Sequence, residues 1–432
     1  MSDLERFDVL VIGAGVGGIC AAVRLAQQGR RVLLVEAEQR VGGRASSREV
    51  DGFILNTGAL AIERDGPVAD LYADLGLHLD LHVPQPETAV LWGHRVINVA
   101  TGPAGRARTI LPRLLRTLTD RLPTLRPRPG QSTADWINRF TSNPTVHGLV
   151  DNVCGSFFAV AGADVPADVF LHYVADGSAF KKLGFPRGGT IEVWKPLVDY
   201  VTSHGGQLWL DAEVTSLVVD SGAVHGALIR RGGTIATVEA DAVVSNIGPV
   251  GTARLIDPSA LPAGYAETIE RSTRYGTILT VHFASREPLA SWPAIGLAAR
   301  SRRLTYLHNA SAPEQRRILK PGWFLYSAAS TPRPATGSVD VAREQEELLA
   351  DLRDHLPGFD EHAVILDWDI NNENNPAQRS VSGFDHPVDT PLPNLWNVGD
   401  GVKPWGDAGT AACVRSADTV VEHLLRTAPI TS

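Results

Sequence analysis

The chain has little cysteine, little lysine and no long apolar run. Its three cysteines, Cys20, Cys154 and Cys413, are too few and too scattered for a disulfide framework or a zinc site. Nowhere in the 432 residues is there an uncharged run of 18 apolar residues, so we expect no membrane-spanning helix. The first residues contain acids and no long apolar segment, so we expect no signal peptide. These absences predict a cytoplasmic protein.

Charge and motif content exclude further classes of protein. The formal net charge of −8 argues against a nucleic-acid partner, because phosphate binding needs a basic footprint. The 13 histidines have no spacing typical of a metal site, and no Gly-x-Ser-x-Gly motif supports a hydrolase triad. Only one strand-glycine-helix unit of the nucleotide-binding type is present. The sequence therefore shows no separate domain for a second bound nucleotide. The substrate is thus the expected electron donor.

The strongest motif is an apolar segment that ends in closely spaced glycines. Residues 9–12 are apolar, and residues 16–28 predict a helix that Gly29 closes. The glycines between them allow a tight turn, close approach of a pyrophosphate and close packing of the helix on the strand. The N-terminal amides of the helix point at such a phosphate. The motif therefore predicts a dinucleotide site at Gly13, Gly15 and Gly18.

Glu36 and a second glycine motif indicate which dinucleotide binds. Glu36 follows the second predicted strand, where a carboxylate can accept both hydroxyls of an adenosine ribose and disfavours a 2′-phosphate. Gly42, Gly43 and Arg44 come just beyond it, so their backbone and guanidinium can reach the same pyrophosphate from the other side. This double clamp favours a bound, non-exchanging FAD over a diffusing NAD.

These motifs resemble the flavin-dependent amine oxidase and phytoene desaturase superfamily, closer to the desaturase-related branch. Asn56 departs from the pattern, because an aspartate is usual there. The resemblance implies an α/β fold with a discontinuous, Rossmann-type (glutathione-reductase-like) FAD-binding domain over 1–81, 183–270 and 370–432. A second, α+β substrate domain with a helical cap would occupy 82–182 and 271–369. The similarity continues at 52–58, 185–190, 212–215, 244–249 and 394–417.

The resemblance also implies which further residues contact FAD. Asp400 is expected on the ribityl hydroxyls, and the helix that begins near 408 is expected at the pyrimidine edge, where its dipole raises the electron affinity of the flavin. Neither Cys20 nor Cys413 is placed for a thioether, so FAD is expected to be non-covalent. The additional cofactor residues are Ala37, Arg40, Thr57, Gly58, Ala59, Val214, Asn246, Gly399, Gly409, Thr410 and Ala411.

Residues 403–407 are expected to border the flavin and to contact the substrate. Lys403 would lie near the negative charge of the reduced ring and Trp405 would wall an apolar pocket, although a surface lysine and a core tryptophan are the structural alternatives. Ala408 stands where amine oxidases have a cage tyrosine, and the strand over 277–283 has no lysine. The favoured function is therefore hydride transfer to flavin N5 from a C–H/C–C unit of an apolar small molecule. The alternatives are an amine or amino-acid oxidase and a non-catalytic isoprenoid or lipid carrier.

A basic amphipathic segment over 106–128 has two interpretations. Its leucines share one helical face, Arg113 and Arg116 lie opposite, and the other arginines extend the basic patch, which is typical of a helix at a membrane surface. The alternative, which the sequence favours, is a cap helix that buries its leucines on the protein itself. The leucines are Leu111, Leu114, Leu115, Leu118 and Leu122, and the arginines are Arg106, Arg108, Arg113, Arg116, Arg121, Arg126 and Arg128.

Overall fold

Two seven-stranded sheets form the framework of the protein. The computed structural model describes residues 5–85, 88–92, 95–98, 110, 114–175, 182–292, 294–311, 320–372 and 380–427. The strands are β1 (Glu5–Ile12), β2 (Val32–Val35), β3 (Ser47–Val50), β4 (Phe53–Asn56), β5 (Ile62–Glu63), β6 (Leu81–His82), β7 (Thr88–Trp92), β8 (Arg95–Asn98), β9 (Leu183–Pro186), β10 (Gln207–Trp209), β11 (Ala212–Asp220), β12 (Ala223–Arg231), β13 (Thr234–Ser245), β14 (Ile278–Ser285), β15 (Ile295–Ala298), β16 (Leu304–Asn309), β17 (Phe324–Ser330), β18 (Val364–Asn371) and β19 (Leu395–Asn397).

Helices cover and connect these sheets. The α-helices are α1 (Val16–Gln27), α2 (Pro67–Asp74), α3 (Thr133–Asn138), α4 (Pro144–Phe157), α5 (Ala167–Ala175), α6 (Lys195–Ser203), α7 (Pro249–Arg254), α8 (Tyr265–Ser272), α9 (Val341–His355), α10 (Phe359–His362) and α11 (Gly409–Thr427). Short 3₁₀ helices lie at Gly43–Ala45, Pro123–Leu125, Thr190–Val193 and Pro258–Ala260. Residues 114–121 are also helical.

The first sheet contains the strand-helix-strand unit that the N-terminal motif predicts. Its order is β10-β2-β1-β13-β12-β11, with β19 also paired to β13. β1 runs parallel to β2 and β13, and its buried apolar residues suit a central parallel strand. One face packs on α1, α6 and α11 through residues such as Ile19, Leu197 and Val414. The Rossmann-type fold is therefore confirmed, while the proposed domain boundaries stay a prediction.

The second sheet has the order β18-β14-β17-β16-β15-β7-β8. Successive residues of a strand face opposite sides. Val281 and Phe283 of β14 pack with Leu348 and Leu352 of α9 on one side, whereas His282 faces the other side and contacts polar groups there. The strands expected over 277–283 and 323–327 and the charged helix expected over 341–356 are present as β14, β17 and α9.

Two expectations about strands were wrong. The stretch 82–182 was expected to be helical, but β7 runs parallel to β15 and pairs with β8, so its first part belongs to the second sheet. These strands are short and pair with a segment far along the chain, and that tertiary pairing decides their conformation. The apolar residues over 395–398 also predict a central parallel strand, but among the described strands β19 pairs only with β13.

Candidate functional site

The two glycine motifs meet at the carboxyl ends of β1 and β2. The amide of Gly42 donates a 2.7 Å hydrogen bond to the carbonyl oxygen of Ala14, and Gly15 and Gly42 form an isolated parallel bridge. Gly42 has a φ of 97°, which favours glycine. A Cβ on Gly18 would lie 2.0 Å from the carbonyl oxygen of Gly13, so helix α1 packs against β1 only with glycine there. The loops form one backbone cradle at the N-terminus of α1.

Two more strand ends complete this cradle. Asn246 follows β13, and its side-chain amide donates a 3.4 Å hydrogen bond to the carbonyl oxygen of Gly13. Gly399 follows β19, and its amide donates to Ser416 Oγ of α11 at 2.8 Å. Gly409, Thr410 and Ala411 form the first turn of α11. The predicted cofactor residues of β1, β13 and β19 thus share one edge of the sheet, as ligand-binding crevices of α/β sheets do.

Glu36 is held in a fixed orientation beside the first glycine loop. Its Oε2 accepts a 2.8 Å hydrogen bond from the amide of Ala14, and its Oε1 accepts a 2.9 Å bond from the amide of Glu38, across the intervening Ala37. Burial raises the pKa of Glu36, although these backbone bonds oppose the shift. Ala212, the first residue of β11, donates its amide to the Glu36 carbonyl, which places Val214 on the same strand two residues further on.

The segment 57–59, which contains Gly58, packs on Arg44 and on the loop after β9. The amide of Ala59 donates to the carbonyl oxygen of Arg44 at 3.1 Å, and a Cβ on Gly58 would clash with that same oxygen. Asn56, which replaces the usual aspartate, accepts hydrogen bonds through Oδ1 from Ser47 Oγ at 2.8 Å and from the amide of Thr190 at 2.9 Å. Asn56 therefore still supplies an oxygen that accepts hydrogen bonds, and these bonds connect this loop to the cradle.

A polar pocket joins the cradle to the second sheet. Asn371 of β18 donates its side-chain amide to the carbonyl oxygen of Thr57 at 3.1 Å, and Thr57 Oγ1 donates to the carbonyl oxygen of Gly43 at 3.2 Å. The sequence did not predict the β18 residues of this pocket, because only their pairing with β14 brings them here. The pocket is lined by Arg40, Gly43, Arg44, Thr57, Asp369, Ile370 and Asn371.

Lys403 lies in a buried ion cluster and not on an open pocket wall. Its ammonium is 2.6 Å from Asp385 Oδ1 and 3.2 Å from Asp400 Oδ1, and it donates to the carbonyl oxygens of Asp400 and Ser380. Asp400 Oδ2 also accepts a 3.0 Å bond from Arg44. Although burial opposes the charge, the two carboxylates raise the pKa of Lys403. The expected contact of Lys403 with substrate does not fit this geometry, because its donors are used to orient Asp400.

Trp405 lies at the surface. Its side chain is 53% exposed, and its ring centroid is 5.1 Å from that of His172 in α5. The expectation that Trp405 walls a buried pocket therefore does not fit its exposure. Its role in substrate contact stays a prediction.

The donor groups of the cradle fit FAD. The N-terminus of α1 has no side-chain cap and no acid in its first turn, so its amides are available to a phosphate. Arg40 and Arg44 supply two guanidinium groups beside it. Glu36 suits the ribose and Asp400 suits the ribityl hydroxyls. These elements define a flavin-dependent oxidoreductase.

The chain belongs to the family of flavin containing amine oxidoreductases, whose model matches residues 16–424. The predictions of the superfamily, of an oxidoreductase and of FAD as its cofactor are thereby confirmed. Across the described ranges, no helix is both long and apolar enough to cross a membrane.

The relatives include both a desaturase and a reductase. The chain is 52% identical over 58 residues to a carotenoid 3,4-desaturase of Haloarcula japonica, which is 13% of this chain and 12% of that protein. It is 25% identical over 298 residues to human all-trans-retinol 13,14-reductase, or 57% of this chain and 48% of that protein. It therefore spans at most about half the length of these two relatives. An oxidoreductase structure from Methanosarcina mazei shares the fold, with a TM-score of 0.80 and 23% identity over 96% of this chain and 99% of that one.

Proposed function

We propose that this enzyme oxidises a C–H/C–C unit of an apolar small molecule. The observation that supports this most directly is an apolar cluster that begins at Leu60, immediately after the cofactor residue Ala59. Phe185 of β9 and Ile278 and Tyr306 of the second sheet belong to it. Retinol and carotenoids, named in two of the relatives, are apolar polyenes. Such a substrate is recognised by burial of apolar surface next to the cofactor.

The protein residues position the reactants and exclude water. When bound, FAD would supply the hydride acceptor in chemistry of this class. The glycine cradle and the guanidinium groups of Arg40 and Arg44 would hold its pyrophosphate, and Asp400, fixed by Lys403, would hold its ribityl chain. The apolar cluster around Leu60 keeps water from the reacting carbon, which strengthens electrostatic interactions there.

Amine oxidation is the second candidate function. One observation favours it: the carboxylate of Asp369 lines the polar pocket, where it could receive a substrate ammonium group. The absence of a lysine from β14 and the presence of Ala408 in place of a cage tyrosine argue against it, because amine oxidases carry both groups at these places.

An anaerobic screen for flavin bleaching separates the two functions. We expect isoprenoid polyenes and their partly saturated forms to bleach the bound FAD, whereas simple amines and amino acids leave its absorbance unchanged. Loss of absorbance at the flavin bands after anaerobic mixing is the measurement. Bleaching by amines alone would replace the first proposal with the second, and bleaching by neither class would contradict both.

We also propose a peripheral contact with an anionic membrane surface through 106–128. Residues 106–109 and 111–113 lie outside the described residues, so Leu111, Arg106, Arg108 and Arg113 are not placed. Leu114, Leu118 and Leu122 are between 38% and 49% exposed, which does not fit the alternative in which the leucines are buried on the protein. The neighbouring Ile110 is 60% exposed. Among the leucines of this segment that the structure describes, Leu115 alone packs partly against a core cluster. The neighbouring Arg116, Arg121, Arg126 and Arg128 are exposed.

We expect this contact to be salt-sensitive and to depend on the leucines. Vesicles that contain anionic lipid should carry the protein upward in a flotation gradient at low salt, because apolar burial and charge attraction act together. Leu114→Ser with Leu118→Ser should abolish flotation. Ile235→Ser, which replaces an equally exposed side chain on β13, should not change it. Failure of the unaltered protein to float would contradict the proposal.

A further inference from the structure

A hydrogen-bonded chain of side chains runs from the polar pocket into the second sheet. His282 of β14 places Nε2 2.9 Å from Asp369 Oδ2 and Nδ1 2.8 Å from Ser327 Oγ. His282 is fully buried, and Ser327 lies directly opposite it on β17. An ionised carboxylate only accepts hydrogen bonds, so Nε2 carries the hydrogen that points to Asp369 and Nδ1 accepts from the serine hydroxyl. The chain thus fixes both the ring and the carboxylate.

Asp369 is the member of this chain that reaches the pocket. Asp369 lines the same pocket as Arg44 and Thr57, and its side chain is 17% exposed. Arg48 of β3 donates to Asp369 Oδ1 at 3.0 Å and to Asp367 Oδ2 at 2.6 Å. Each oxygen of Asp369 accepts one bond from these donors and retains a lone pair that can receive a proton.

The charges around Asp369 keep its carboxylate ionised and allow that carboxylate to take up one proton. Burial opposes its charge, but His282 and Arg48 hold the pKa of Asp369 below its usual value. Burial and the neighbouring His282 lower the pKa of His308 to about 3, so His308 is neutral. Two carboxylates face one guanidinium in this cluster, so Asp369 can take up one proton without a build-up of positive charge. The charged groups that face this cluster are Asp367, Arg48 and, across the pocket, Arg40 and Arg44.

We propose that Asp369 is the proton acceptor of the oxidation and that His282 positions it. This inference rests on the proposed function. One substrate C–H bond would break so that its hydrogen leaves with the electron pair as a hydride, for which bound FAD would be the acceptor. The adjacent C–H bond then breaks, its proton passes to a carboxylate oxygen of Asp369, and its electron pair forms the new double bond. Loss of hydride makes that proton acidic, so an ionised carboxylate of low basicity suffices.

The pH dependence of the bound FAD spectrum tests the assignment without any substrate. A carboxylate beside the cofactor should perturb the oxidised flavin bands as it titrates. With FAD kept at a saturating concentration, so that its release at acidic pH does not contribute, we expect an acidic spectral step in the unaltered holoenzyme. This step should be absent from Asp369→Asn and displaced to higher pH in His282→Phe, which loses the donor to Asp369. An unchanged step in Asp369→Asn would overturn the placement of Asp369 at the cofactor.

Flavin reduction by an apolar substrate that bleaches the enzyme tests the catalytic role. Asp369→Asn should retain FAD and slow reduction at saturating substrate by roughly 100-fold, the usual effect of losing a general base. Asp369→Glu should recover part of the rate, and in His282→Phe the acid limb of the pH profile should move to higher pH with the spectral step. A raised KM with unchanged kcat in Asp369→Asn would overturn the proposal and make Asp369 a binding group.

Asp367→Asn is the matched control, because Asp367 shares Arg48 with Asp369 but is 44% exposed, and the ring nitrogens of His282 bond to Asp369 and Ser327 instead. We expect its rate and its spectral step to stay within about twofold of the unaltered enzyme. Equal losses in Asp367→Asn and Asp369→Asn would show that both act only through the ion pair with Arg48, which would overturn the proposal. If no apolar compound bleaches the flavin, the proposed function fails while the spectral titration still reports on Asp369.

Discussion

Lys403→Met should lower the free energy of unfolding by about 3–5 kcal/mol, the usual cost of removing one partner from a buried ion cluster. The methionine fills similar volume, but it leaves the carboxylates of Asp385 and Asp400 buried without their shared cation. It also removes the donor to the carbonyl oxygen of Ser380. Because the pKa of Lys403 is raised, this stabilisation is present at neutral pH and is lost only as the pH rises through that raised pKa.

Urea unfolding of the apo-protein, followed by tryptophan fluorescence, measures this effect without a contribution from bound FAD. Lys195→Met is the control, since Lys195 is 52% exposed and pairs with Glu192 at the surface; its effect should stay within about 0.5 kcal/mol. Adding Asp385→Asn to Lys403→Met should restore part of the stability. An unchanged unfolding midpoint in Lys403→Met, together with slower flavin reduction, would contradict the structural role and indicate that Lys403 contacts the substrate.

Glu36→Ala should weaken FAD binding by about 10- to 150-fold, which corresponds to the roughly 1.5–3 kcal/mol of a charge-assisted hydrogen-bond pair. The structure holds the carboxylate in place through the amides of Ala14 and Glu38, so little further ordering is needed when a ribose binds. Titration of apo-protein with FAD, followed by quenching of flavin fluorescence, gives the dissociation constant. Glu38→Ala, an exposed change two residues away, is the control and should leave the constant within about twofold.

The pH dependence of FAD binding should follow the same carboxyl group. A protonated Glu36 can no longer accept two hydroxyl hydrogen bonds, and burial raises its pKa. Affinity should therefore fall as the pH falls through this raised pKa, at a higher pH than for an ordinary glutamate. Glu36→Gln should bind more weakly at neutral pH and lose this step. A step of the same size in Glu36→Gln would assign the pH dependence to another group.

The cofactor half of the site could be predicted because its signals are local. Gly13 and Glu36 each follow the last residue of a strand, and Gly42 lies in the loop after β2, so a few neighbouring residues are enough to identify the strand, the turn and the polar group. Helix α1 and strand β2 therefore lie within a residue or two of where the sequence places them. The predicted residues then meet, because the carboxyl ends of parallel strands share one edge.

The substrate half could not be predicted because its contacts are not local. Asp369 and His282 are brought together by antiparallel pairing of β14 with β18, and no periodicity in the sequence states which strands pair. The environment of Lys403 could not be predicted from the sequence either. Its partner Asp400, three residues earlier, was the one nearby signal, whereas Asp385 lies in an irregular stretch that only the tertiary fold brings beneath the lysine.

The most direct test of the FAD cradle is the state of the flavin in the purified protein. We expect a yellow protein with one FAD per chain that acid precipitation releases into the supernatant, because burial raises the pKa of the Cys413 thiol to about 12 and Cys20 is buried within helix α1. Absorbance of the supernatant at the flavin bands, with chromatography to identify FAD, is the measurement. A coloured pellet would contradict non-covalent binding, and a colourless protein that takes up no added FAD would contradict the cradle itself.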